Sequence, residues 1–305
     1  MAAKKKNNEP VFGNVVTAIV TPFNKRGAVD YNQAEKLFKH VQAQNDGIVV
    51  AGTTGEGPTL SQAEKLKLFE FYKSRAKKGF KVLLNVGSND TADSVKFAKA
   101  AAKAGADGLM VVGPYYNKPN ADGQLAHFSA ISDASDLPIL LYNIPGRTGL
   151  RVEHDVIIEL AGTSNVCAVK DATGDLAGVS LLRSQTLSDF FIYAGDDALI
   201  LPIVACGGCG VVTVFGHLIG KEIKEMILAY QEGDVREALD IHLHFLELNN
   251  SLYTTTNPIP IKTALSMMGV MEDNFRLPMT KMDDKKRSAL EATLREYELI
   301  PRRKG

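Results

Sequence analysis

The chain has 305 residues and a mass of 33.0 kDa, and 45% of its residues are hydrophobic, which is enough for a sizeable core. Its 35 Lys and Arg residues balance 35 Asp and Glu residues, which argues against a general nucleic-acid or membrane-surface binder. No apolar run approaches the ~20 residues of a membrane span, and no secretory signal is recognisable at the N-terminus. Three cysteines in such a chain favour free thiols, so we expect a cytoplasmic protein.

Eight short apolar runs recur along the chain, each followed by a polar or Gly/Pro-rich loop and then by an amphipathic stretch. Their residues are apolar at successive positions, as in strands that are buried on both faces of a parallel sheet. The predicted strands cover residues 15–20, 48–50, 82–86, 109–112, 139–142, 166–169, 191–193 and 211–215. The predicted helices between and after them cover residues 30–44, 61–77, 91–104, 121–135, 153–160, 176–187, 198–205 and 218–232.

This alternation predicts an α/β fold, a closed (β/α)8 TIM barrel, over residues 13–233. No Gly-x-Gly-x-x-Gly motif follows the first run, which weakens a dinucleotide-binding interpretation. Residues 234–305 are predicted to form a C-terminal helical appendage with helices over 234–248, 259–268 and 283–298. Residues 1–12 are predicted to be a flexible N-terminal tail.

The active site of such a barrel lies at the carboxyl ends of its strands, so the loops after the apolar runs should carry the functional residues. Lys170 directly follows the sixth run. Burial there would lower the pKa of its amine and allow it to form a Schiff base with a carbonyl. The alternative is an ordinary strand-end lysine, either solvated or paired with Asp171 or Asp175.

Four further side chains lie in the loops at this end of the predicted barrel. Tyr142 ends the fifth run, where its phenol could relay protons or simply belong to the core. Arg147 lies in a Pro-Gly-Arg-Thr-Gly turn, where it could bind a carboxylate in a bidentate manner or form a surface ion pair. Thr53 and Thr54 lie between glycines, where they could approach a small anion or merely form a turn.

Metal-binding and redox motifs are weak in this sequence. Cys206 and Cys209 have Cys-x-x-Cys spacing, but no second pair of ligands accompanies them. His242 and His244 are two positions apart on a predicted helix, so they point to different faces. We therefore predict no metal and no other cofactor.

Six motifs, in this order along the chain, carry a resemblance to a known family. They are Gly-Thr-Thr-Gly-Glu at 52–56, Pro-Tyr-Tyr-Asn-Lys-Pro at 114–119, Tyr-Asn-Ile-Pro-Gly-Arg-Thr-Gly at 142–149, Val-Lys-Asp-Ala-Thr-Gly-Asp at 169–175, Gly-Asp-Asp at 195–197 and Asn-Pro-Ile-Pro-Ile-Lys at 257–262. From about residue 13 to about residue 278 the sequence resembles the N-acetylneuraminate lyase/dihydrodipicolinate synthase superfamily. The second and third motifs together favour its synthase branch.

The resemblance implies a metal-free lyase of the class I aldolase type that condenses pyruvate with L-aspartate-4-semialdehyde in lysine and diaminopimelate biosynthesis. By the matching motifs, Lys170 would form the Schiff base with pyruvate. Tyr142, Thr53 and Tyr116 would relay protons, and Thr54 would help to hold the pyruvate carboxylate. The resemblance also implies that Tyr116 reaches the neighbouring subunit's site, in a homotetramer built as a dimer of dimers.

The remaining substrate contacts are likewise implied by the resemblance. Arg147 would bind the carboxylate of the semialdehyde, and Gly195, Asp196 and Val212 would contact the substrates, Val212 through its backbone. Two alternatives stay open: a related pyruvate aldolase or lyase that acts on N-acetylneuraminate or keto-deoxy sugar acids, and a non-catalytic barrel that binds keto acids.

Feedback inhibition by L-lysine is common in this superfamily, and the resemblance places its effector cleft at the helix after residues 52–56. Gln62 and Lys65 stand there at positions where sensitive members have His or similar groups. Because the Lys65 ammonium would repel the cationic side chain of the effector, we expect weak or absent inhibition.

Overall fold

The computed structural model describes residues 9–301. It confirms the closed (β/α)8 barrel, in which each strand pairs in parallel with the next and the eighth pairs with the first. The strands are β1 Val15–Ala18, β2 Gly47–Val50, β3 Lys81–Asn85, β4 Gly108–Val112, β5 Ile139–Asn143, β6 Val166–Asp171, β7 Phe191–Ala194 and β8 Gly210–Thr213.

The helices of the barrel are α1 Tyr31–Gln42, α2 Gln62–Lys73, α3 Thr91–Lys103, α4 Ala121–Ser132, α5 Pro145–Thr148, α6 His154–Thr163, α7 Leu176–Gln185, α8 Ile200–Ala205 and α9 Gly220–Glu232. They are followed by α10 Val235–His244, α11 Leu246–Ser251, α12 Ile259–Met267 and α13 Asp284–Glu296. Single 3-10 turns cover Gly57–Thr59, Asp197–Leu199 and Phe215–His217. None of the helices within residues 9–301 is long and apolar enough to cross a membrane.

Polar caps set where most of the long barrel helices begin. The side chains of Asp30, Asp90, Asn120 and Asp175 accept hydrogen bonds from backbone N–H groups in the first turns of α1, α3, α4 and α7. Ser61 forms a complete capping box at the start of α2, as its sequence pattern predicts. These caps satisfy N–H groups that have no partner within their helix.

Successive strand residues divide between two apolar clusters. Leu140 and Ala168 belong to the cluster inside the barrel, whereas Leu141 and Val169 belong to the cluster between the strands and the surrounding helices. Because side chains alternate between the two faces of a strand, the residue two positions after an inward one also points inward. This alternation explains the continuous apolar runs and places Lys170 on the inner face.

Several element boundaries differ from the sequence-based expectations. The sixth strand continues to Asp171, so Lys170 lies within β6 rather than beyond it. The eighth strand ends at Thr213 rather than residue 215, because the chain turns into the 3-10 segment that begins at Phe215. The helix predicted over 234–248 is divided into α10 and α11 at Phe245.

Of the predicted N-terminal tail, residues 1–8 lie outside the described residues. Phe12 is completely buried, and its backbone N–H donates to the Tyr193 hydroxyl at 3.3 Å. The packed part of the chain therefore begins before residue 13, because Phe12 closes the amino end of the barrel interior.

Candidate active site

Lys170 and Tyr142 form the centre of the candidate site. They are register partners on the neighbouring strands β6 and β5, and both are almost completely buried. The Nζ atom of Lys170 lies 4.2 Å from the centroid of the Tyr142 ring. The structure therefore brings together the two side chains that the sequence reasoning treated as the amine and the proton relay.

The two acidic residues that could have paired with Lys170 are engaged elsewhere. Asp175 binds Arg151 at 2.6 Å, and Asp171 accepts hydrogen bonds from the backbone and hydroxyl of Thr173. The alternative of an ordinary lysine paired with either carboxylate is therefore wrong.

Burial changes the protonation equilibrium of the Lys170 amine. Desolvation lowers the pKa of Lys170 to about 8, against the opposing influence of the Asp197 carboxylate. Arg147 lowers this pKa further, and Asp196 raises it. A substantial fraction of the amine is therefore neutral near pH 8, and only the neutral amine can attack a carbonyl carbon.

Tyr142 stays protonated in this environment. Its burial raises the pKa of the phenol to about 12, although Arg147 and the nearby Thr53 side chain both favour the phenolate. A neutral phenol next to an amine can donate a proton and take it back without leaving a charge in the pocket. The contact between Tyr142 and Thr53 is compatible with the predicted proton relay, which stays a prediction.

The loop after β2 carries Thr53 and Thr54. Its path is compact, because the backbone N–H of Gly57 donates to the carbonyl of Gly52 at 3.1 Å. A Cβ atom on Gly57 would lie 2.2 Å from the carbonyl oxygen of Ala51, so the turn requires glycine there. Thr54 is buried, and its hydroxyl oxygen accepts a hydrogen bond from the side-chain amide of Asn257 at 3.0 Å.

A fully buried ion pair holds the end of this loop. Nζ of Lys262, on α12, lies 2.6 Å from the carboxylate of Glu56, and the two side chains are 0% and 1% exposed. The same ammonium donates to the backbone carbonyls of Thr21 and Asn274. The C-terminal helices therefore take part in shaping the loop that carries the two threonines.

Arg147 lies on the short helix α5, directly after β5, and is exposed. Its guanidinium donates to the backbone carbonyl of Asn257 at 3.2 Å. Its charge acts on both Tyr142 and Lys170. This placement fits a cation at the rim of the site that is free to bind an incoming carboxylate.

Asp197 is the charged residue that the sequence reasoning missed. It is buried, and its Oδ2 atom accepts hydrogen bonds from the backbone of Val214 and Phe215 and from the Tyr253 hydroxyl at 3.2, 3.1 and 3.0 Å. Burial raises the pKa of its carboxyl. Its neighbour Asp196 is exposed and accepts from the backbone N–H of Ala198. The motif at 195–197 was the available signal, but it did not distinguish the two aspartates.

The other predicted substrate contacts fall into two groups. Val212 lies on β8, in the apolar cluster that also contains Tyr142, and Gly195 directly follows β7. Tyr116 is 88% exposed and has a φ of +71°. Within one chain, Tyr116 is therefore not part of the buried group around Lys170, and its role stays a prediction about a neighbouring subunit.

The residues predicted to line the effector cleft, Gln62 and Lys65, both interact with Asp93. Gln62 donates to the carboxylate of Asp93 at 2.8 Å. Burial lowers the pKa of Lys65, although the same carboxylate opposes this shift. Asn89 and Asn117 bind each other nearby. The sensitivity of the protein to L-lysine stays a prediction.

The three cysteines are partly buried. All three thiols are free, and burial raises the pKa of Cys167 and Cys209 to about 12. Across residues 9–301, no group of three or more His, Cys, Asp or Glu side chains is arranged to hold a metal ion.

Comparison with known proteins agrees with the geometry. The model of the dihydrodipicolinate synthetase family matches residues 11–297. The 4-hydroxy-tetrahydrodipicolinate synthase of Synechocystis sp. is 46% identical over 292 residues, which cover 95% of this chain and 97% of the relative. That of Bacillus subtilis is 42% identical over 287 residues, covering 93% and 99%.

Solved structures of this family are equally similar. Dihydrodipicolinate synthase from Cyanidioschyzon merolae with lysine bound has a TM-score of 0.94 and 42% identity, covering 96% of this chain and 100% of that one. The chloride-inhibited enzyme from Acinetobacter baumannii complexed with pyruvate has a TM-score of 0.91 and 34% identity, covering 95% and 100%.

Proposed function

The chain belongs to the dihydrodipicolinate synthetase family, and we propose that it is a 4-hydroxy-tetrahydrodipicolinate synthase that uses Lys170 as its Schiff-base nucleophile. Such an enzyme is a lyase of the class I aldolase type, and it condenses pyruvate with L-aspartate-4-semialdehyde in lysine and diaminopimelate biosynthesis. The observation that carries the proposal is the buried Lys170 amine, with a pKa of about 8, against the Tyr142 ring.

The first half of the reaction captures pyruvate. The neutral Lys170 amine attacks the keto carbon, and the resulting carbinolamine loses its oxygen as water after protonation by the Tyr142 phenol. The iminium then accepts the electrons of a methyl C–H bond when that proton leaves, which produces a neutral enamine. Because Tyr142 lies next to Thr53, the two hydroxyls supply and receive these protons.

The second half forms the carbon–carbon bond. The enamine carbon attacks the aldehyde carbon of the semialdehyde, whose oxygen takes a proton, and this restores the iminium on Lys170. The amino group of the semialdehyde then attacks the iminium carbon and loses a proton, and the bond to Lys170 breaks as its nitrogen takes up a proton, which releases the cyclic product imine. Both substrates carry a carboxylate, and the site has two groups that can each bind one. These are the buried Thr54 hydroxyl and the exposed Arg147 guanidinium. The presence of two such groups supports a reaction between two carboxylated substrates.

Tyr116 supports an oligomeric enzyme. An aromatic side chain that is 88% exposed, next to Tyr115 at 40%, leaves apolar area uncovered on the loop after β4. The backbone N–H of Tyr116 donates to the carbonyl of Thr148, one residue after Arg147. Tyr116 of each subunit completes the relay of its neighbour in a dimer, and two dimers form the homotetramer. A cytoplasmic location stays a prediction from the cysteine content.

Borohydride trapping tests the proposal directly. Incubation with pyruvate and borohydride should add one reduced pyruvate per chain, and peptide mapping should find it on Lys170. Lys170→Ala should give no adduct, whereas the matched variant Lys81→Ala, at the opposite end of the barrel, should be labelled normally. Absence of an adduct in the unaltered chain would refute every Schiff-base function.

A substrate assay separates the synthase from its relatives. Pyruvate and L-aspartate-4-semialdehyde should be consumed together, and N-acetylneuraminate should not be cleaved. Cleavage of the sugar acid, or an adduct without consumption of the semialdehyde, would assign the barrel to one of the alternative functions.

A further inference from the structure

Asn257 joins two substrate-binding elements that come from different strands of the barrel. Its side-chain amide donates to the Thr54 hydroxyl oxygen at 3.0 Å. Its backbone carbonyl accepts from the Arg147 guanidinium at 3.2 Å. One residue of the segment between α11 and α12 therefore contacts both groups that are placed to bind substrate carboxylates.

The direction of the first hydrogen bond determines where the Thr54 proton can go. A hydroxyl has one proton to donate and two lone pairs that accept. Because the Asn257 amide occupies one of the lone pairs, the proton of Thr54 is not used in this contact. Within residues 9–301 the hydroxyl of Thr54 donates to no protein acceptor, although the residue is only 3% exposed.

A buried hydroxyl with an unused proton costs free energy unless a ligand supplies the acceptor. Its surroundings in the loop are held independently of Asn257, because Thr21 donates to the carbonyl of Gly55 at 2.6 Å and Lys262 binds Glu56. Loss of the Asn257 amide would therefore free the hydroxyl to rotate while leaving the backbone of the loop in place.

We propose that Asn257 is a positioning residue that directs the Thr54 hydroxyl proton toward the pyruvate carboxylate and fixes Arg147 relative to it. The inference rests on the proposed function, because it assumes that Thr54 and Arg147 meet the two substrate carboxylates. Asn257 itself acts through these two groups. Its side-chain amide occupies a lone pair of the Thr54 hydroxyl, and its backbone carbonyl accepts an N–H of Arg147.

The side-chain part of the role predicts a specific kinetic defect. In Asn257→Ala, the pyruvate concentration for half-maximal borohydride trapping should rise about tenfold, the equivalent of ~1.4 kcal/mol. The rate of trapping at saturating pyruvate should change little, because Lys170 and Tyr142 are untouched. Asn257→Asp has nearly the same shape but only accepts hydrogen bonds, so it draws the Thr54 proton away from pyruvate and should be more defective.

A double-mutant cycle shows whether Asn257 acts through Thr54. In a Thr54→Val background the hydroxyl is gone, so Asn257→Ala should change the pyruvate dependence less than twofold. Asn165→Ala is the matched control, because its amide donates to the carbonyls of Ser135 and Leu137 away from the site. That variant should be less stable but should bind pyruvate normally.

The outcomes separate this inference from the proposed function. Normal trapping of the unaltered chain, with the same pyruvate dependence in Asn257→Ala, would overturn only the role of Asn257. Additive effects in the cycle would overturn it as well, since they would show that the amide acts independently of Thr54. Absence of any trapped pyruvate in the unaltered chain would overturn the proposed function and this inference together. Asn257→Asp provides the same test if truncation to Ala prevents folding.

Discussion

The buried pair of Lys262 and Glu56 provides the sharpest test of how the C-terminal helices stabilise the site. In Lys262→Met the carboxylate of Glu56 would remain buried at 1% exposure without the cation that lies 2.6 Å away. Removing one partner of such a pair costs about 3–5 kcal/mol, because the other charge is left uncompensated. The backbone N–H of Arg276 still donates to this carboxylate at 3.2 Å, so we expect the lower end of that range.

This cost can be converted into a melting temperature. An unfolding entropy of ~2.1 cal/mol/K per residue gives about 0.64 kcal/mol/K for the 305 residues of the chain. A loss of ~3 kcal/mol should therefore lower Tm by about 5 °C. Scanning calorimetry, with urea unfolding as a second measurement, would resolve such a shift.

Two further variants make the test specific. Lys281→Met removes a lysine that is 65% exposed and lies 2.8 Å from Asp273, so it should cost no more than ~1 kcal/mol. In Glu56→Gln combined with Lys262→Met both charges are removed, and much of the lost stability should return. If Lys262→Met were as stable as Lys281→Met, or if the double variant were less stable than Lys262→Met, the reasoning would be refuted.

Three other predictions concern the chemistry of the site. Since the pKa of Lys170 is about 8, the rate of imine formation should rise as the pH passes through about 8. Asp197→Asn removes an anion that favours the ammonium, so it should move this rise to lower pH. Trapping rates measured between about pH 6 and 10 would show the shift, and an unchanged or alkaline-shifted profile would contradict the prediction. Arg147→Ala should raise KM for the semialdehyde roughly tenfold or more while leaving the pyruvate dependence of trapping within about twofold, and unchanged semialdehyde kinetics would disprove the role of Arg147. A titration with L-lysine should show weak inhibition because of Lys65, and complete inhibition below millimolar lysine would show that prediction to be wrong.

The barrel and its central residues could be predicted because both depend on local patterns. Alternation along a strand has a period of two, so residues two positions apart on β5 and β6 share a face, although the continuous apolar runs do not show which set points inward. Tyr142 and Lys170 follow Leu140 and Ala168 by two positions, and the structure places all four in or beside the inner cluster. Because parallel neighbours end at the same side of the barrel, Tyr142 and Lys170 could be expected at the same end of it, and the structure shows that both point inward.

Asp197 shows where local patterns stop being informative. The strand β7 ends at Ala194, and the chain then enters a 3-10 turn, so the alternation that works within a strand no longer applies. Whether Asp196 or Asp197 becomes buried depends on contacts with the residues directly after β8 and with Tyr253, 56 residues further along the chain. Sequence reasoning selected Asp196 as a substrate contact, and nothing in the motif separates the two carboxylates.

The contribution of the C-terminal segment was inaccessible for the same reason. The contact between Asn257 and Thr54 spans 203 residues, and that between Lys262 and Glu56 spans 206. Helix periodicity describes the segment as an appendage, because it reports which face of a helix is apolar but not what that face contacts. The motif at 257–262 contributed to the family resemblance, but it did not indicate which contacts its residues make.

The two buried lysines, Lys170 and Lys262, show why the surroundings of a lysine cannot be inferred from the sequence alone. The Lys262 ammonium donates hydrogen bonds to one carboxylate and two carbonyls, and these bonds compensate its desolvation. Within residues 9–301 no carboxylate or carbonyl accepts a hydrogen bond from the amine of Lys170, which faces the ring of Tyr142 instead. Both residues follow short apolar stretches, so their local sequences look alike. The number of hydrogen-bond acceptors around each nitrogen distinguishes the two lysines. The amine with acceptors is a structural cation, and the amine without them is the one that we propose as the nucleophile.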